Sequence, residues 1–274
     1  MKSTNLAQIE KMYSRFDDIL LSTDTNCNYL NLGYWKQTNN LKKACEDLLD
    51  LVIEMAEIKN GNKILDVGFG YGEQDIYFAN KFPKIIINGI NILTQQVKFA
   101  QQKVKLAGLS NRVDLSNGDA VNLTFDDAIF DLTLAIESAF HFETRQKFFN
   151  ESYRVLKPGG IIVLTDCLPQ TFSENDKKFV EASTSMGIPL ANQYNIQVYV
   201  NKLKEVGFER ISYIDLSQHV IPYSAIEMMQ NNGWRSKSEI NLIDEIDLEN
   251  KIKYFIDKTT IASYYLIKAY KKNY

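Results

Sequence analysis

Histidine is scarce in this chain of 274 residues: there are two, His141 and His219. Cysteine is nearly as rare, and Cys27, Cys45 and Cys167 stand far apart and odd in number. No CxxC spacing exists, which excludes a zinc ribbon and a disulfide scaffold and fits reduced thiols. No metal site is expected. Five prolines exclude long Pro-rich linkers. Neither sign of charge dominates: Lys and Arg total 31 against 34 Asp and Glu, a net charge of -3. That argues against a nucleic-acid partner, which calls for a basic domain, and against polybasic attachment to anionic membranes. No run approaches the ~18 apolar residues of a membrane helix. The segment MKSTNLAQIEKMYSRFDD has no apolar core of a signal peptide. A cytoplasmic protein with no membrane insertion is expected, as a monomer or homodimer.

What the chain does have is globular composition, 45% hydrophobic and 24% charged, enough to bury a sizeable core. The length suits one α/β domain with extra elements. Apolar residues at helical spacing (Leu41, Ala44, Leu48, Leu49, Val52, Met55) predict a helix over 41–58. Short apolar runs ending at glycine or polar residues predict strands at 63–67, 85–90, 113–115, 130–136 and 161–165. Helical stretches lie between them at 73–81, 94–107 and 143–155. The last stops at Lys157-Pro-Gly-Gly160. Strictly alternating strands and helices form a parallel sheet covered on both faces, and right-handed crossovers make it doubly wound. Beyond Asp166 the alternation lapses. A helical insertion is expected at 168–192, a helix at 198–206, a strand at 210–215, a second helical insertion at 220–257 and a closing strand at 260–269. A further helix is expected over 6–21. The expected fold is therefore α/β: a Rossmann-like, doubly wound, mostly parallel seven-stranded sheet with a helical lid. Residues 1–40 form an N-terminal helical arm, and 41–274 the main domain.

The strongest motif is Asp66-Val-Gly68-Phe-Gly70-Tyr-Gly72-Glu73, directly after the first strand. Glycines there permit a tight strand-to-helix turn and close approach of a ligand. The dinucleotide fingerprint GxGxxG fails at its sixth position, where Glu73 stands. A carboxylate at a helix start disfavours a pyrophosphate, so an NAD(P) oxidoreductase is disfavoured. Asp66 would attract a cationic group instead.

This loop resembles motif I of the class I S-adenosylmethionine-dependent methyltransferases, D-x-G-x-G-x-G, and the likeness continues for about a hundred residues. The resemblance implies S-adenosylmethionine as cofactor and S-adenosylhomocysteine as product. It implies cofactor contacts from Asp66, Gly68, Gly70 and Gly72. Asn91, Ile92 and Gln96 follow the second strand, where most relatives place an acid for the ribose; Asn91 could equally cap the next helix. Asp119 and Ala120 match the pattern that receives adenine. Glu137 joins the cofactor set. In Asn31-Leu-Gly-Tyr-Trp35, Tyr34 and Trp35 match an aromatic stretch that closes over the cofactor, with cation–π support for the sulfonium; packing is the alternative.

Methyl transfer to a hydroxyl needs in-line positioning, exclusion of water and a group to take the proton. Neutral histidine suits that task at physiological pH. His141 follows the fourth strand and Asp166 ends the fifth, both on the sheet edge where ligands bind in doubly wound folds. The sequence resembles bacterial natural-product O-methyltransferases of the rebeccamycin sugar type, which use His and Asp at these positions. That likeness makes His141 the general base and Asp166 its assistant. Phe140 replaces the Glu of cyclopropane-forming relatives. His219 reads as a lid residue. Methylation at carbon or nitrogen, and a non-catalytic cofactor-binding protein, are the alternatives. The insertions carry Phe172, Phe179, Met186, Tyr194, Tyr223, Met228, Met229 and Trp234. These line an apolar pocket or form the insertions' own cores. A small, largely apolar or glycosylated acceptor is the expected partner.

Overall fold

The structure is a computed structural model describing residues 6–14, 27–169, 175–230 and 245–273. Its elements run α1 (Leu41–Ala56), β1 (Lys63–Val67), α2 (Glu73–Lys81), β2 (Ile86–Asn91), α3 (Thr94–Leu106), β3 (Val113–Asn117) and β4 (Phe130–Ile136). They continue with α4 (Arg145–Val155), β5 (Leu156–Leu168), α5 (Lys177–Ser185), α6 (Ile196–Val206), β6 (Glu209–Asp215), α7 (Ser217–Gln230), α8 (Glu245–Thr259) and β7 (Ser263–Tyr270). Residues 6–14 are also helical. Expected positions in 15–26 and 170–174, with Phe172, and in 231–244, with Trp234, lie outside the described residues. So do the side chains of Met228 and Met229.

The seven strands form one sheet in the order β3-β2-β1-β4-β5-β7-β6. The pairs β3/β2, β2/β1, β1/β4 and β4/β5 are parallel. Four of five residues of β1 and six of seven of β4 are buried, as expected of central strands covered on both faces. β1 sends its chain to β2 on one side and has β4 on the other. The strand order reverses there, which places a crevice beyond the carboxyl ends of β1 and β4.

Two boundaries differ from expectation. The stop expected at residues 157–160 is a bulge inside β5, not a loop before it. Phe130 pairs with Leu156 and Leu132 with Ile161, so four residues oppose Asp131 alone. Lys157 Nζ bonds Asp131 Oδ1 at 2.7 Å, and Gly159 takes φ 73° to make the bend. At its other end β5 continues through Leu168, so Asp166 lies within the strand instead of ending it. Side-chain partners described below allow a carboxylate to be buried there.

The chain divides into two compact units. One comprises 1–48, 167–195 and 215–265, the other 49–166, 196–214 and 266–274. The second unit contains most of the sheet and the helices around it. The first gathers the N-terminal segment with α5, α7 and α8. Among the described residues no helix is long and apolar enough to cross a membrane.

Candidate active site

Registers place the site residues side by side within the second unit. Asp66 lies opposite Gly89, Asn91 opposite Asn117, and Ile136 opposite Thr165. The residues after these strand ends therefore share one edge. In the glycine loop, Gly68, Gly70 and Gly72 all have positive φ, of 86°, 57° and 77°. A Cβ on Gly68 would stand 2.3 Å from Ser138 Cβ. One on Gly72 would meet Ala100 at 3.0 Å and Leu115 at 3.1 Å. At these two positions the missing side chain serves the protein's own packing. Ser138, in turn, ties β4 to β1 by donating to the carbonyl of Val67 at 2.6 Å.

Glu73 is ion-paired with Lys103 of α3. Its charge is thus countered locally, and the objection to a pyrophosphate passes from Glu73 to Asp66. Asp66 is fully buried and accepts from Gln74 Nε2 at 2.6 Å, while its Oδ1 has no hydrogen-bond donor. Burial pushes the carboxyl up to about 6.

Along the edge, Asn91 Nδ2 donates to Gln96 Oε1 at 2.9 Å, and Asn91 Oδ1 accepts from the Leu93 N–H at 3.0 Å. Asn91 thus spends its oxygen in the cap-like turn leading into α3. Gln96 Nε2 is buried with no acceptor, so Gln96 offers the open donor. Asn117 Nδ2 holds the carbonyls of Asn91 and Ile92 at 2.9 and 3.0 Å. Ile92 is 39% exposed, an apolar residue at the strand end. Asp119 is exposed and uses Oδ1 to accept from the Val121 N–H at 3.0 Å; Ala120 beside it is buried.

At the other side of the crevice Glu137 takes φ 50°, uncommon for a residue with a side chain. Its N–H reaches the Thr165 carbonyl at 3.0 Å and hydroxyl at 3.1 Å. His141 closes a short 3-10 turn, is 8% exposed, and meets Phe140 edge-on with ring centroids 4.3 Å apart. Asp166 is clamped. Arg145 donates to it through Nε at 2.7 Å and Nη2 at 2.8 Å, and the Tyr199 hydroxyl donates at 3.0 Å. The Asp166 and Arg145 side chains are both fully buried. The sequence reading missed Arg145 and Tyr199. A signal for Arg145 was present: with Phe148, Phe149 and Ser152 it falls on one buried face of α4 at spacing 0, 3, 4 and 7. A cation on that face at a helix start, where the dipole favours acids, calls for a buried anion.

In the first unit, Trp35 is buried, stacks on Tyr223 at 5.4 Å and donates from Nε1 to the Leu32 carbonyl at 2.7 Å. The indole N–H and one ring face of Trp35 are used within its own unit, which is the packing role the sequence reading held as the alternative to a cofactor contact. Tyr34 is half-buried and meets the ring of His219 edge-on at 5.3 Å. The His219 carbonyl accepts the Trp35 N–H at 3.0 Å.

A methyltransferase-domain family matches residues 65–164. The 27-O-demethylrifamycin SV methyltransferase of Amycolatopsis mediterranei is 31% identical over 78% of both chains. The chain belongs to the class I S-adenosylmethionine-dependent methyltransferases. A second relative of this methyltransferase is the erythromycin 3''-O-methyltransferase of Saccharopolyspora erythraea, 32% identical over 70% of this chain and 66% of that one. In fold, the methyltransferase is similar to the crystal structure of the cyclase SpnF, with TM-score 0.76, 24% identity and 96% of each chain covered. Its cofactor is S-adenosylmethionine, and the orphaned polar atoms fit that molecule. Asp66 Oδ1 is a buried acceptor and Gln96 Nε2 a buried donor, each without a protein partner, and Asp119 is an exposed carboxylate; groups of this kind would suit a cationic end, a ribose oxygen and an adenine amine.

Proposed function

We propose that this methyltransferase moves the methyl group to a hydroxyl of a small, largely apolar or glycosylated acceptor, with His141 as general base. The observation that carries this reading is the clamp on Asp166. A carboxylate already accepting three hydrogen bonds, two from a guanidinium, has little capacity left to take a substrate proton. His141, on the same edge, takes that task, and Asp166, already paired with Arg145 and Tyr199, assists by holding that edge in place. The cofactor supplies the methyl group on a sulfonium. Asp66, Gln96 and Asp119 orient it, with Ile92 and Ala120 offering apolar surface, and Asn91, Glu137 and the glycine loop shaping the turns around it. The two relatives are named erythromycin 3''-O-methyltransferase and 27-O-demethylrifamycin SV methyltransferase. That supports oxygen as the acceptor atom and a polyketide-like acceptor.

The test is a panel of hydroxylated natural products incubated with S-adenosylmethionine and scored for the mass gain of one methyl for hydrogen. His141→Ala should lose most O-methylation while keeping cofactor affinity. Full turnover in that variant would assign the acceptor atom to nitrogen, which needs no base.

A further inference from the structure

Asp75 has no part in the chemistry above, yet it is as deeply buried as Asp66. It lies in the first turn of α2 and faces the charge of its buried neighbour Asp66 on β1, and neither oxygen of its carboxyl has a hydrogen-bond donor. With both groups ionised, Asp66 Oδ1 and both oxygens of Asp75 would be buried acceptors with no donor. Two negative charges would also face each other away from water. A single proton removes both problems. Burial, and then the neighbouring charge of Asp66, hold Asp75 well above the usual carboxylate range. The other groups acting on the pair are Gln74 Nε2 and the Val67 N–H, which favour the charged form of Asp66, and the Asp75 N–H. Glu73 on the same turn is engaged by Lys103 of α3. Each carboxylate oxygen can accept two hydrogen bonds, so a proton from Asp75 leaves Asp66 able to accept from the cofactor.

We propose that Asp75 is a positioning residue of the cofactor site: it donates the proton that joins the two carboxyls, orients Asp66, and leaves the pair one negative charge for the cofactor's cationic end. The inference rests on the assignment of Asp66 to the cofactor.

Calorimetric titration of S-adenosylmethionine into the wild type, D75A, D75N and D66N, from about pH 5 to about pH 8, tests it. D75A should bind about tenfold more weakly at neutral pH, and D75N should recover most of that loss, because an amide N–H donates where the protonated carboxyl did. Wild-type affinity should fall as pH drops through about 6. In D75N that fall should stay near the wild-type pH, since Asp75 is already neutral there and the amide donates in its place. D75N as weak as D75A, or D75A with wild-type affinity and pH profile, overturns the proposal. A second measurement needs no ligand. Thermal unfolding of free D75N should show a gain over wild type that grows with pH, because the native wild type must retain a proton that asparagine does not need. A gain independent of pH, or a loss, means Asp75 is ionised and also overturns it. D66N with full cofactor affinity would instead strike the Asp66 assignment, while the unfolding profile still reads the proton on Asp75.

Discussion

Gly68 and Gln96 illustrate two ways in which one residue's task emerges. Gly68 sits at φ 86° with Ser138 where its Cβ would be. Gly68→Ala should destabilise the protein by roughly 2–4 kcal/mol in urea unfolding, from a left-handed backbone plus a clash. Adding Ser138→Gly should recover the clash but not the backbone part. A single variant as stable as wild type would show that this turn can relax. Gln96 matters for an amide hydrogen that finds no acceptor. The residue types around the cofactor were legible in the linear sequence because the motif is local, spanning Asp66 to Glu73. The division of labour between Asn91 and Gln96 was not. Either amide can donate or accept, and only the position of the Leu93 N–H decides which is spent. Removing the carboxylates, by Asp66→Ala or Asp119→Ala, should weaken cofactor binding by about 1–3 kcal/mol in calorimetry. Unchanged affinity in both would remove these residues from the cofactor site.

Between elements, the contact that organises the β5 side of the crevice is the joining of α4, β5 and α6 by Arg145, Asp166 and Tyr199. Arg145→Ala leaves a buried carboxylate without its cation and should cost about 3–5 kcal/mol of stability. The double variant Arg145→Met with Asp166→Leu removes both charges and should restore much of that stability while remaining inactive. Restored activity in the double variant would show that the pair serves folding alone. Strand and helix placement was readable because buried strands and amphipathic helices differ in period. The extent of β5 was not, because the Pro-Gly-Gly that reads as a stop is absorbed by a bulge opposite Asp131. Likewise Asp166 could be placed near a strand end from sequence. Its clamp joins residues 21 and 33 positions away, and no local pattern records such a contact.

For the molecule as a whole, buried carboxyls set the pH response. Asp66 and Asp75 hold protons more tightly folded than unfolded. Across the window from an unfolded carboxyl's value near 4 upward through about 6, the native state carries more protons, so stability falls as pH rises. Glu151 acts in the opposite sense: Arg154 holds it below its usual value, so its contribution is present above the ordinary glutamate range and lost as pH falls. The unfolding temperature should therefore peak on the acid side of neutrality, and a steady rise toward alkaline pH would contradict the buried-proton assignment.

Sequence by itself determined the alternation that makes a doubly wound sheet, the glycine turn after its first strand, and the placing of His141 just beyond the fourth strand and of Asp166 on the fifth. These follow from periodicity and from turn chemistry, which act over a few residues. Tertiary structure alone decided which polar atoms stay unpaired, which carboxyl carries a proton, and that Asp166 is clamped instead of free. Those outcomes depend on burial and on partners brought together from distant positions, and burial is a property that a residue acquires only when the chain closes around it.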